Sequence, residues 1–163
     1  MKTIMKTGSY LVMAVMFAAL TLAGPAAAGK QVPFHGSMQG VEIDDVQGTT
    51  MVVDGSGRGN ATHLGRFTVT WEATVNLLDG SGFGSLQLIA ANGDSIFTEH
   101  LGQGEPTANP GVFLVVEINT ITGGTGRFAG ATGTFTLERL VDLTTGLTSG
   151  SFKGTISSPG AAH

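Results

Sequence analysis

The amino-acid sequence predicts an all-β chain: a single antiparallel, closed barrel of about eight strands, with a β-sandwich as the alternative. Three observations carry that prediction. Residues 29–163 hold 35 Val, Ile and Thr residues against nine Ala and two Lys, a composition that suits strands and is thin in helix formers. They also hold 24 of the 26 glycines, roughly 18% against a usual ~7%, spaced as turns, bulges and close bends require. Finally, Phe67, Val69, Trp71, Ala73, Val75 and Leu77 alternate strictly with Arg66, Thr68, Thr70, Glu72, Thr74 and Asn76, six periods of two with one apolar face. Val, Ile, Leu and Phe make up about 27% of residues 29–163, above the ~20% below which a chain stays disordered.

The first 28 residues read as a cleavable signal peptide, with 29–163 as one domain. Lys2 and Lys6 give a positive start, Tyr10 to Leu22 is apolar, and Ala26-Ala27-Ala28 offers small residues for cleavage before Gly29. The apolar run breaks at Gly24-Pro25, short of the ~20 residues a bilayer core needs. The expectation is a secreted or periplasmic protein with no transmembrane segment after cleavage. A chain without cysteine has no disulfide framework, thiolate metal site or thiol nucleophile. Residues 29–163 keep 6 of the 8 basic residues and all 12 acidic ones, net −6, which argues against nucleic acid as a partner.

Taken in order, Lys30 to Ser37 and Thr49 to Asp54 read as short strands separated by an acidic turn at Asp44-Asp45, and Asp54 to Gly59 as a flexible glycine-rich connection. Arg66 to Leu77 is the long alternating strand. Phe83 to Leu101 is a hairpin centred on Asn92-Gly93, the strongest short-range hairpin signal. A two-residue turn there sets Leu88 opposite Phe97 and Ile89 opposite Ile96, with apolar residues on both faces. Leu101 to Gly111 is a polar loop, and Val112 to Thr122 a strand that places Glu117 and Asn119 on the face of Phe113, Val115 and Ile121. That polar pair is a candidate ligand-facing position, or two side chains on a solvated face. Thr134 to Asp142 and Leu147 to Ser157 form a last hairpin. An even-numbered loop, Thr145-Gly146, keeps Phe135 and Ile156 on one face.

At Gly123–Gly133 the sequence reads GGTGRFAGATG, between two predicted strands. This run resembles the glycine-rich crossover of the allene oxide cyclase and dirigent protein superfamily. The upstream ATHLGRFTVT at Ala61–Thr70 is similar to small exported bacterial proteins with barrels of this kind. The resemblance implies an eight-stranded antiparallel barrel with a partly apolar cavity that orients or cyclises a reactive small molecule. Its polar cavity residues come from strands other than the glycine motif, and none is matched here, so no catalytic residue is assigned. Gly123, Gly124, Gly126, Gly130 and Gly133, with Phe128 plugging one end of the core, read as structural. Arg127 points into a mouth or into water. The run lacks the Lys-Ser/Thr ending of a P-loop, the GxGxxG spacing and a following helix, so a nucleotide cofactor is not expected.

Elsewhere the chemistry is sparse. His35, His63, His100 and His163 have no metal-site spacing, and no metal or other cofactor is expected. His63 reads as a turn residue. Glu72, Glu99 and Glu117 form carboxylate pairs only if their strands are neighbours. No G-x-S-x-G elbow is present. Asn60-Ala61-Thr62 is a glycosylation sequon that matters only in a eukaryote. One tryptophan, no tyrosine after cleavage and a Thr, Glu and Asn outer face argue against a bilayer-inserted barrel. Three functions remain in play. The first is binding of a small apolar molecule inside the barrel, lined by Phe67, Val69, Trp71, Phe113, Val115 and Phe135 with Glu117 and Asn119 as polar handles. The others are a cyclase- or dirigent-like enzyme, and a non-enzymatic envelope or extracellular interaction protein. A homo-oligomer is left open.

Overall fold

The computed structural model describes residues 29–157 and Pro159. The segment read as a signal, residues 1–28, lies outside them, as does His163. Eight strands follow one another: β1 (Gln31–Gln47), β2 (Thr50–Ala61), β3 (Gly65–Asn76), β4 (Ser81–Ala90), β5 (Ser95–Pro106), β6 (Val112–Gly124), β7 (Gly133–Asp142) and β8 (Leu147–Ser157). Each pairs antiparallel with the next, and β8 pairs back onto β1, giving a closed up-and-down barrel with no free edge.

The alternation expected of β3 holds: Phe67, Val69, Trp71 and Ala73 are buried while Thr68, Thr70 and Glu72 face solvent. Several expectations need correction. β1 is one strand of 17 residues that runs straight through Asp44-Asp45, and the β1–β2 hairpin closes instead at Gly48 (φ 66°). Asp54–Gly59 is the middle of β2, not a flexible connection. Its glycines lie flat because large side chains of β3 cover them: Gly55 pairs with Trp71 and Gly59 with Phe67, and a Cβ at either would collide with the opposing ring. β5 extends to Pro106, so the loop after it is only Thr107–Gly111.

Two hairpin registers also differ. Across β4–β5, Leu88 pairs with Ile96 and Gln87 with Phe97. The loop is Ala91-Asn92-Gly93, closed by Gly93 N–H donating to the Ala90 carbonyl at 2.9 Å, with Gly93 left-handed at φ 90°. The odd loop turns Leu88 and Ile96 inward together and leaves Ile89 and Phe97 on the outer face, where Phe97 is exposed, so both faces are apolar here but only the inner one is covered. Across β7–β8, Asp142 pairs with Leu147 and the loop has four residues, Leu143–Gly146. It is even-numbered, and Phe135 and Ile156 do share the inner face, but the turn is longer than Thr145-Gly146 alone.

The inside of the barrel is divided along its axis. One half is solid: Phe34, Phe67, Phe135 and Phe152 pack ring against ring, with centroid separations of 5.0–6.3 Å. The β6–β7 crossover closes this end. A short 3-10 turn at Gly126–Phe128 drives Phe128 into the core, where it is 1% exposed. Gly126 is left-handed, and a Cβ there would run into the Asp94 carboxylate. Arg127 stays at the surface, donating to the Leu64 carbonyl at 3.2 Å and lying 3.7 Å from Asp94. His63, left-handed in the β2–β3 turn, places Nε2 3.1 Å from the Pro33 carbonyl. The other half of the barrel is hollow.

Candidate functional site

Where the solid half ends, a layer of charged and polar side chains crosses the barrel. Glu42 from β1, His100 from β5, Glu117 from β6 and Arg139 from β7 all point inward and are buried. Arg139 is the hub. Its Nη1 donates to Glu42 Oε2 at 2.6 Å and to Thr148 Oγ1 at 3.3 Å. Its Nη2 and Nε donate to the two oxygens of Glu117 at 3.0 and 3.3 Å, a bidentate fork. Trp71 Nε1 donates to the same Glu42 oxygen at 3.2 Å, and the guanidinium lies 5.6 Å from the Trp71 ring centre.

Glycine makes this layer possible. Gly84 pairs with His100, Gly102 with Glu117 and Gly150 with Arg139. A Cβ would come within 2.8 Å of His100 Cε1, 3.0 Å of Glu117 Cγ and 2.6 Å of Arg139 Cβ respectively. The glycine content therefore serves packing across strands as well as turns: each of these inward side chains occupies the space its neighbour gives up.

Burial and charge tune the groups. Burial pushes His100 below its ordinary value; Glu117 opposes that shift, and Arg139 adds to it. His100 Nε2 lies 3.8 Å from Glu117 Oε1, while Nδ1 is buried without a hydrogen-bond partner. Burial acts to lower Arg139, but Glu117 and Glu42 more than offset it and hold the guanidinium above its usual range. Asp44, two residues beyond Glu42, is raised by burial and by Glu42, with Arg139 opposing.

Above this layer lies a cavity of about 370 Å³. Glu42, His100, Glu117 and Arg139 form its floor; Val53, Ala73, Val75, Phe113, Val115 and Val141 are among its walls; Leu77–Gly80 and Leu143 stand at the rim. That volume is in the ~300–1,000 Å³ range of small-molecule sites, and the pattern of apolar walls with a few convergent polar groups is theirs too.

Of the residues singled out in the sequence, Phe113, Val115 and Glu117 line the cavity. Phe67, Val69, Trp71 and Phe135 face inward but belong to the packed core. Asn119 is fully buried below the floor, accepting a hydrogen bond from Thr98 Oγ1 at 2.9 Å. The solvated-face reading of Glu117 and Asn119 is therefore wrong: at 4% and 0% exposure they are interior groups. Glu72 and Glu99 are on the outer face, flanking Ser85, away from Glu117. Among the described residues no group of three His, Cys, Asp or Glu side chains is placed to hold a metal ion, and no helix is long and apolar enough to cross a membrane.

Sequence reasoning missed Glu42 and Arg139 and gave His100 no role. A signal existed for Glu42, which shares its even-numbered register with Val32, Phe34 and Met38 once β1 is recognised as one strand. Arg139 similarly continues the inward series Phe135, Leu137, Val141.

No protein-family model matches the sequence, and no curated protein does. Among solved structures, the chain is similar to a pterocarpan synthase dirigent protein, at 14% identity and a TM-score of 0.61 over 92% of this chain and 98% of that one. At that identity the likeness concerns the path of the backbone, which agrees with the resemblance in the glycine-rich crossover. The chain has the closed eight-stranded barrel fold of the dirigent proteins.

Proposed function

We propose that this protein, exported to the periplasm or cell exterior after removal of residues 1–28, binds a small, largely apolar molecule in the open half of its barrel. The observation that carries the reading is the cavity of about 370 Å³ with apolar walls and a charged floor, in a barrel whose other half is packed solid. A protein needing only a stable outer surface has no use for a hollow interior floored by buried ions, which cost several kcal/mol each to desolvate. The envelope-protein reading is the weaker for it. Native mass spectrometry of protein purified without detergent tests the proposal, together with titration by the neutral dye N-phenyl-1-naphthylamine. A retained small molecule, or dye binding lost in Val115→Trp, is the expected result. Protein with no added mass and no affinity for the dye overturns it.

One observation favours a second reading, an enzyme on the same barrel. His100, its basicity lowered, sits beside Glu117 at the cavity floor with Nδ1 free of partners. This is the arrangement of a proton acceptor, and shifted ionisable groups in a cleft mark candidate active sites. Turnover of a bound molecule that disappears in His100→Gln, with binding retained, would establish it.

A further inference from the structure

The floor of the cavity carries a sign, and that sign selects one end of a ligand; the argument rests on the cavity being the binding site. Arg139 is committed within the protein, with Nε and Nη2 on Glu117 and Nη1 on Glu42 and Thr148. Four of its five N–H groups are taken, leaving one Nη2 hydrogen and no paired edge for a carboxylate or phosphate, the usual partners of a buried guanidinium. Two carboxylates against one guanidinium leave a formal excess of one negative charge. Asp44 lies on the same inward-facing register of β1, with Oδ1 buried and unpartnered, and burial together with Glu42 disfavours its ionised form, against Arg139.

The second observation is independent of that charge count. The His100 side chain is 2% exposed and forms part of the cavity floor. Its Nε2 stands 3.8 Å from Glu117 Oε1 and its Nδ1 is buried without a partner, so neither ring nitrogen is hydrogen-bonded and a neutral ring has an acceptor left unmet whichever nitrogen holds the proton. A buried acceptor with no donor is costly, and a ligand that supplies the donor gains what the empty site lacks. An acceptor beside surplus negative charge is complementary to a cation that carries N–H groups.

We infer that the cavity takes small apolar amines in their protonated form. The ammonium group sits inward against His100 and Glu117, and the hydrocarbon lies along Val75, Phe113 and Val115. A carboxylic acid of the same length brings a further negative charge to a floor that has no free cation. An alcohol supplies one donor without the charge.

Three probes with one eight-carbon chain, 1-aminooctane, 1-octanol and octanoic acid, decide the matter by titration calorimetry on the wild-type protein at pH 7. The fluorescence of Trp71, the sole tryptophan, reports arrival at the floor because its indole bonds Glu42. The expected order is amine tightest by about tenfold or more, then alcohol, then acid. N-octylacetamide, which keeps an N–H but has no charge, falls to the level of the alcohol, and Glu117→Gln narrows the gap between amine and alcohol to about threefold or less. If the alcohol, the acid or the amide binds as well as the amine, the amine assignment is overturned while the cavity reading stands. If none of the four binds while N-phenyl-1-naphthylamine does, the amine assignment falls and the cavity reading stands; if the dye also fails and the purified protein carries no added mass, both fall.

Discussion

Gly84 stands directly across the β4–β5 ladder from His100, and a methyl group at Gly84 would come within 2.8 Å of the imidazole Cε1. It would also press on the Glu72 backbone carbonyl. A glycine and a buried histidine thus occupy one side chain's worth of space between them. Gly84→Ala is therefore expected to destabilise by ~1–3 kcal/mol through overpacking. Gly104→Ala is the control: its Cβ would meet nothing nearer than 3.8 Å. It should be neutral, or stabilising by up to ~1 kcal/mol through the unfolded chain. Urea denaturation of both variants measures the difference.

Removing Arg139 strands two buried carboxylates. Arg139→Met should cost about 3–5 kcal/mol, the usual penalty of breaking a buried ion pair from one side. Replacing Glu42, Glu117 and Arg139 together by apolar residues of similar volume should recover most of that loss. A triple variant no more stable than Arg139→Met would show that the ions hold the fold rather than serve the cavity.

Acid should weaken the protein through His100. Its folded pKa lies below the ordinary 6.5. The unfolded chain therefore binds the proton more readily, and stability falls as pH drops from about 6.5 toward the folded value. About a unit or more above 6.5 the ring is neutral in both states and contributes no pH dependence. Denaturation midpoints of wild type and His100→Gln between pH 5 and 7.5 test this. The variant's slope should be flatter.

The plug can be removed on its own. Phe128→Ala should cost ~3–5 kcal/mol, as for other fully buried aromatics, measured by thermal or urea unfolding. A loss below ~1 kcal/mol would mean that the crossover covers the end without supporting it.

The barrel was legible from residues that alternate cleanly. Phe67 to Ala73 showed the inner and outer faces, and the glycine run at Gly123–Gly133 marked the crossover whose Phe128 closes one end. The long β1–β2 hairpin was not, because Asp44-Asp45 and Gly55, Gly57 and Gly59 imitate turn chemistry. Local composition cannot reveal that Trp71 and Phe67 on the neighbouring strand fill the space over two of those glycines. The site failed for the same reason. Glu42 and Arg139 are 97 positions apart, and only closure of β8 onto β1 brings them within 2.6 Å. Glu117 could be placed on the correct face, but nothing in its own segment identifies the cation that meets it.

The half-filled barrel has a kinetic corollary. A vessel stoppered at one end has a single doorway, so a guest must back out along the path by which it came. Its dwell time then depends on how freely the hairpin tips at the rim, Leu77–Gly80 and Leu143, move aside. The wall of paired strands contributes little to that escape.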